Sequence, residues 1–150
     1  MVTLAAKITD YSQASGPVET VSYPLAASVA FKYLGGKFVT LDASEQAGLS
    51  VAGDTRVHGW AFAGEFTSNA TAGIDFVTVN VSREAKYWIP ANAAVTRDNV
   101  GKTCDIIVAS GIQKANAAAS TTDVLYIHDV DITNQLCLVS IYDTIVTGVI

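Results

Sequence analysis

The stretch from Asp123 to Tyr142, DVLYIHDVDITNQLCLVSIY, decides the fold. It holds two apolar runs, DVLYIHDV (123–130) and QLCLVSIY (135–142), joined by the short segment ITN (132–134). Runs of this length that are rich in β-branched and aromatic residues and bounded by Asn or Asp are typical of β-strands. The stretch therefore predicts two successive strands connected by a turn.

Seven further runs of the same kind lie upstream at short intervals. They are VETVSYP (18–24), SVAFKYL (28–34), KFVTLD (37–42), RVHGWAFA (56–63), IDFVTVNV (74–81), AKYWIPA (85–91) and TCDIIVA (103–109). Nine short strands at this spacing predict an all-β domain, either a compact β-barrel or a two-sheet β-sandwich. The Gly35-Gly36 pair between two of these runs predicts a tight hairpin.

The composition agrees with an all-β fold. The 150 residues include 22 Ala, 18 Val, 15 Thr and 11 Ile, but only eight Leu and four Glu, so β-branched residues are abundant and good helix formers are scarce. Residues 42–55 are long for a loop and could hold a helical turn, and the Ala-rich segment 113–120 is a marginal helix. We expect at most one short helix.

The chain is expected to divide into an N-terminal arm and one β-rich domain. Residues 1–16 predict an extended arm, with VTLAAKI at 2–8 followed by turn residues before Pro17, and residues 17–150 predict the domain. An arm of this kind could add a strand to the sheet edge of a partner. A frayed terminus or an internal edge strand is an equal alternative.

Charge and hydropathy exclude several classes of partner. Nine Lys and Arg against fourteen Asp and Glu give a net charge of −5, and the basic residues are scattered singly, so no nucleic-acid partner is expected. No apolar run approaches the roughly 18 residues of a membrane span, and no secretory signal is evident, so we expect synthesis in a cytoplasm without membrane attachment. Cys104 and Cys137 are expected to be buried free thiols. Only 15% of residues are charged, which predicts a thin polar surface suited to contact with other subunits.

Catalytic and metal-binding motifs are not found in the sequence. The two histidines are His58 and His128, and no G-x-S-x-G elbow accompanies them. In a regular strand, Asp129 and Asp131 lie on the face opposite His128, so these three side chains cannot close around one metal ion. We therefore expect no catalytic residue, no cofactor and no metal, and we expect that the chain is not an enzyme.

The aromatic residues are the remaining candidates for function. Trp60, Tyr87 and Trp88 lie inside strand-like runs, where they are either ordinary core or a contact patch for another subunit, since Trp and Tyr are enriched at interfaces. Together with apolar residues of the arm, they form the set of candidate partner contacts: Val2, Leu4, Ile8, Tyr11, Trp60, Tyr87 and Trp88.

Several segments carry a resemblance to a known family. The strings FKYLGGKFVTLD (31–42), VHGWA (57–61), YWIP (87–90) and DNVGKTCDI (98–106) resemble the capsid decoration, or cement, proteins of tailed bacteriophages. The resemblance implies β-rich subunits, often trimers, that sit on the outer capsid where major capsid proteins meet, with a terminal arm that reaches across a neighbour.

We therefore expect a structural virion protein on the capsid surface. Its partners would be the major capsid protein and further copies of itself, with a trimer favoured. One alternative is a structural subunit of a phage tail or of the head–tail joint. Another is a carbohydrate- or receptor-binding β-domain in which Trp60, Tyr87 and Trp88 are stacking platforms.

Overall fold

The computed structural model describes residues 11–143, which form thirteen short β-strands and one 3₁₀ turn. In chain order the elements are β1 (Ser12–Ser15), β2 (Thr20–Pro24), β3 (Ala30–Phe31), β4 (Lys37–Leu41), β5 (Ala47–Leu49), β6 (Gly59–Ala61), β7 (Phe66–Thr67), β8 (Phe76–Asn80), β9 (Lys86–Pro90), the 3₁₀ turn (Arg97–Asn99), β10 (Thr103–Ala109), β11 (Ile112–Asn116), β12 (Leu125–Asp131) and β13 (Leu136–Ile141).

The strands form three antiparallel sheets. A six-stranded sheet has the order β1-β9-β13-β12-β10-β11, a five-stranded sheet has the order β2-β8-β6-β4-β5, and β3 pairs with β7. The six-stranded sheet curls until β11 approaches the end of β9, where Ala91 and Ala115 form an isolated bridge. The predicted all-β fold is confirmed. Of the two predicted architectures, the β-sandwich fits residues 11–143, because their sheets pack against one another and do not form a closed barrel.

The main core lies between the two large sheets. Phe38 of β4 and Trp60 of β6 project from the five-stranded sheet and meet Tyr87 of β9 from the six-stranded sheet. The Trp60 and Tyr87 rings stack with centroids 4.3 Å apart, and Phe38 meets Trp60 edge-on at 4.9 Å. Aromatic pairs at these distances add stabilisation beyond the area they bury, so this cluster holds the two sheets together.

A second core covers the opposite face of the five-stranded sheet. Val39, Ala61 and Val79 alternate with the residues of the main core and point to this other side. There they pack with Leu25, which precedes β3, and with Phe31, which lies in β3. Strand β6 and the first half of β4 are therefore buried on both faces.

A buried glutamine also ties the two large sheets. The Gln113 side chain, on β11, is 1% exposed and pairs with the backbone of Phe38 on β4. Its Nε2 donates to the Phe38 carbonyl (2.9 Å) and to the Ser50 carbonyl (3.0 Å), while its Oε1 accepts the Phe38 N–H (2.8 Å). The Phe38 carbonyl also accepts the Ser50 N–H at 3.0 Å, so the Gln113 amide mainly supplies partners for the Phe38 N–H and the Ser50 carbonyl, which are buried.

The nine predicted strand runs all contain strands, but four strands lie outside them. These are β1, β5, β7 and β11. The expected helical turn in 42–55 is wrong, because Ala47–Leu49 pairs with β4 as strand β5. The marginal helix at 113–120 is also wrong, because Ile112–Asn116 pairs with β10 along its whole length. The one short helical element instead lies at Arg97–Asn99.

The predicted Gly35-Gly36 hairpin does not form. Strand β3 pairs with β7, and β4 pairs with β5 and β6, so the strands on either side of the two glycines are not partners. The glycines are needed for close approach instead. A Cβ on Gly36 would lie 2.1 Å from Nε1 of Trp60, and Gly35 has φ +87° with its Cβ position 1.9 Å from the Tyr11 carbonyl oxygen.

The end of the predicted arm belongs to the six-stranded sheet. Residues Ser12–Ser15 form β1 and pair with β9, and Tyr11 packs in the main core. Residues 1–10, which include the candidate contacts Val2, Leu4 and Ile8, lie outside the described residues.

Candidate partner-binding surface

The structure places three of the predicted contact residues in the interior. Tyr11, Trp60 and Tyr87 are 2%, 1% and 0% exposed, because each projects into the main core. The contact patch that the sequence predicts for them is therefore absent from the surface of the folded chain. Trp88 lies on the outer face of the six-stranded sheet, half-buried and directly opposite Leu138 of β13.

Tyr11 and Lys37 form a buried pair that anchors the start of the described chain. The Tyr11 hydroxyl donates to the Gln113 carbonyl at 2.7 Å, and Lys37 Nζ lies 3.8 Å from the centroid of the Tyr11 ring. The ammonium also donates to the carbonyls of Tyr33 and Gly35, each at 3.1 Å. Burial lowers the pKa of Lys37 to about 8. These contacts are internal and give Tyr11 a structural role.

A surface of exposed aromatic side chains lies where the five-stranded sheet approaches the small β3–β7 sheet. Phe62, Phe66 and Phe76, here called the phenylalanine surface, are 46%, 39% and 63% exposed. They border a groove of about 260 Å³ that is completed by Leu25, Ala63, Val77 and Thr78. Soluble monomers rarely expose contiguous apolar patches of large side chains, so this surface is the strongest candidate for contact with a partner.

The strand register explains why Phe62 and Phe76 are uncovered. Phe38, Trp60 and Asn80 are directly opposed across β4, β6 and β8 and therefore share one face of the sheet. Phe62 comes two residues after Trp60, and Phe76 is on the same face of β8 as Asn80. Phe62 and Phe76 thus continue the sheet face that packs in the main core, beyond the part that the six-stranded sheet covers, whereas Phe66 lies on β7 of the small sheet, opposite Phe31.

The chain segment that carries the phenylalanine surface is acidic, and the charge of Glu65 also acts on the buried Lys37 ammonium. Residues 62–78 contain Glu65 and Asp75 and no Lys or Arg. The Asp75 carboxylate accepts the Asn69 N–H at 2.7 Å, and the Asp75 carbonyl accepts the Leu25 N–H at 2.7 Å, so this edge of the groove is fixed in place. The surface therefore offers apolar side chains and negative charge on a rigid support.

The interpretation of the strand around His128 needs correction. A β-bulge between Ile127 and Asp129 breaks the simple alternation, so that Asp129 joins His128 on the outer face, where His128 Nε2 shares a hydrogen bond with Ser140 Oγ at 2.8 Å. Asp129 lies on the same face, opposite Leu138, and pairs with Arg97. Even so, within residues 11–143 no three His, Cys, Asp or Glu side chains are grouped as metal ligands.

The other candidate groups have structural partners. His58 Nε2 shares a 2.7 Å hydrogen bond with the Tyr23 hydroxyl, and their rings meet edge-on. Cys104 and Cys137 are buried free thiols, as the sequence predicts. Burial raises the pKa of both, that of Cys137 to about 11, so neither is a reactive thiolate near neutral pH.

Comparisons with protein-family models, with curated proteins and with solved structures return no match to this chain. In the part of the chain that the structure describes, no helix combines the length and apolar character of a membrane span.

Proposed function

We propose that this chain is a structural virion protein that binds the outer surface of a phage capsid and stabilises it. The observation that carries the proposal is the phenylalanine surface: three exposed phenylalanines around a groove where the five-stranded sheet approaches the small β3–β7 sheet. A surface of this kind binds another protein by burying aromatic side chains. The resemblance to capsid decoration proteins supports a capsid as that partner.

The chemistry of the surface specifies what the capsid must present. The groove of about 260 Å³ has room for an apolar side chain such as Leu or Ile. Glu65 and Asp75 beside it favour Lys or Arg in the partner at the rim of the contact. The partner site is therefore an apolar projection flanked by basic residues, on the outer face of the major capsid protein.

Multivalency strengthens the attachment. Copies that bind around one lattice point, as a trimer or on neighbouring capsid subunits, convert later contacts into intramolecular ones. A modest apolar patch on each copy is then sufficient for firm attachment. The low fraction of charged residues, 15%, agrees with a protein whose surface is partly covered in the assembly.

The test is co-sedimentation with expanded empty capsids of a tailed phage whose genome carries this gene. We expect wild-type protein to bind and to raise the melting temperature of the capsid. The Phe62→Ser/Phe76→Ser variant should bind at least about tenfold more weakly, because it removes two anchors of the contact.

Ile132→Ser is the matched control, because Ile132 is 47% exposed but lies in the turn between β12 and β13. It should bind like the wild type. Absence of wild-type binding to capsids in every maturation state would refute the capsid role. Equal binding by wild type and the double phenylalanine variant would refute the assigned surface.

A further inference from the structure

A second open site lies at one end of the six-stranded sheet, separate from the phenylalanine surface. It is a groove of about 500 Å³ between residues 101–103, which lead into β10, and the turn formed by residues 117–120. Tyr126 of β12 and Tyr142 also line it. Its volume is within the range of small-ligand pockets. We call it the tyrosine groove.

The two tyrosines form an aromatic platform. Their ring centroids are 6.5 Å apart with planes tilted by 32°. On its other side, the Tyr126 ring meets the His128 ring at 4.8 Å, which fixes its orientation. Both tyrosines are half-buried, so each presents an apolar ring and a polar hydroxyl at a solvent-facing site. Rigid tyrosine rings give a large contact area at a low cost in conformational entropy.

The wall opposite the strand is held rigidly by a buried carboxylate. Asp105 is 8% exposed, and its oxygens accept the backbone N–H groups of Thr121, Thr122 and Asp123 at 2.8 to 3.0 Å. The Asp105 N–H in turn donates to the Ala119 carbonyl. The turn that carries residues 117–120 is therefore ordered before any ligand arrives, which lowers the entropic cost of binding.

The charge of the groove indicates the sign of its ligand. Among the described residues that line it, Lys102 carries a charge and no Asp or Glu is present. The side chains of Ala117–Ala119 are short, so the other polar groups at the groove are backbone groups and the hydroxyls of Thr103, Ser120 and the two tyrosines. One cation beside an aromatic platform fits a single carboxylate. A phosphate chain normally recruits several basic groups, which this groove lacks.

We propose that the tyrosine groove binds an acidic sugar residue, with the pyranose ring against Tyr126 and Tyr142 and its carboxylate at Lys102. This site would add glycan binding to the protein and does not depend on the proposed capsid role. It also differs from the stacking platforms that the sequence predicts, since Trp60 and Tyr87 are buried and Trp88 does not line the groove.

The proposal is tested by following the backbone amide signals of the full chain by NMR during titration. The probes are glucuronic acid, galacturonic acid and N-acetylneuraminic acid, with glucose, galactose and adenosine monophosphate for comparison. At least one acidic sugar should shift the amides of residues 101–103 and 117–120 in a saturable manner. Glucose and galactose should bind about tenfold more weakly or not at all, because they lack the carboxylate.

Variants separate the two parts of the site. Lys102→Met should remove the preference for acidic over neutral sugars, and Tyr126→Leu should weaken binding about tenfold while Tyr126→Phe retains it. Ile132→Ser, at an exposed residue that does not line the groove, should bind the sugar like the wild type. The proposal is overturned if no sugar shifts these amides, if the nucleotide binds more tightly than every acidic sugar, or if Lys102→Met keeps the preference.

Discussion

The buried hydroxyl of Tyr87 has no hydrogen-bond partner among the described residues, although the ring itself stacks on Trp60 in the main core. An unpaired buried polar group costs free energy, whereas the ring alone contributes packing. We predict that Tyr87→Phe increases the free energy of unfolding by about 1 kcal/mol, measured by chemical denaturation.

Tyr11→Phe is the matched comparison, because the Tyr11 hydroxyl does donate to the Gln113 carbonyl. It should decrease the free energy of unfolding by about 1 kcal/mol. A loss of stability in Tyr87→Phe would show that its hydroxyl has a partner and would contradict this description of the core.

The two histidines predict how stability depends on pH. Burial, with the charges of Arg83 and Arg56, lowers the pKa of His58, and burial with the charge of Lys86 lowers that of His128, each from an ordinary value of 6.5. Below that value the unfolded chain binds more protons than the folded chain, so stability decreases as the pH falls.

We therefore expect the urea midpoint to decrease between about pH 7 and about pH 5, above the range in which Asp and Glu take up protons. The variant His58→Gln/His128→Gln should have a flatter profile over the same interval. If the urea midpoint of that variant falls equally steeply with pH, titratable groups other than the two histidines cause the pH dependence.

At the scale of single elements, the amide of Gln113 makes β11 essential to the packing of the two large sheets. Gln113→Leu preserves the approximate volume but leaves the N–H and C=O of Phe38 and the C=O of Ser50 without this partner. We predict a loss of about 3 kcal/mol in the free energy of unfolding.

Gln46→Leu provides the control, because Gln46 is only half-buried. Its effect should stay within about 0.5 kcal/mol. If Gln113→Leu is equally mild, the glutamine does not act as the link between β4 and β11.

The strands that the sequence predicts are those in which burial produces a recognisable pattern of apolar and polar residues along the strand itself. TCDIIVA coincides with β10, and the alternation in IDFVTVNV separates Phe76 and Thr78 from Val77 and Val79, as the structure does. The missed β5 and β11 contain Gly or Ala and polar residues, so they lack a strand pattern of their own and depend on pairing with β4 and β10. Long-range pairing of this kind is not encoded in a local window.

The same limit applies to the bulge at His128 and to the Gly35-Gly36 segment. A bulge shifts the alternation by one residue without a distinctive residue type to mark it. The two glycines are explained by the approach of Trp60 and Tyr11, which are distant in sequence. The residue types therefore indicated that these positions are unusual, but the structural reason predicted for them was wrong.

At the scale of the whole molecule, the candidate surface could not be located from the sequence. Trp60 and Phe62 are two residues apart and lie on the same face of the five-stranded sheet. Trp60 is nevertheless 1% exposed and Phe62 46%, because the six-stranded sheet covers only part of that face. Which part is covered depends on how two sheets of distant residues overlap. The sequence predicted a low-charge domain suited to contact, and the sheet packing determines which aromatics are available for it.

The proposed capsid role depends on the orientation of the bound subunit. Cryo-electron microscopy of expanded capsids saturated with the protein measures this orientation directly. We predict that Phe62, Phe66 and Phe76 lie against the major capsid protein, with an apolar side chain in the adjoining groove and basic residues near Glu65. A bound subunit whose phenylalanine surface faces solvent would contradict the account.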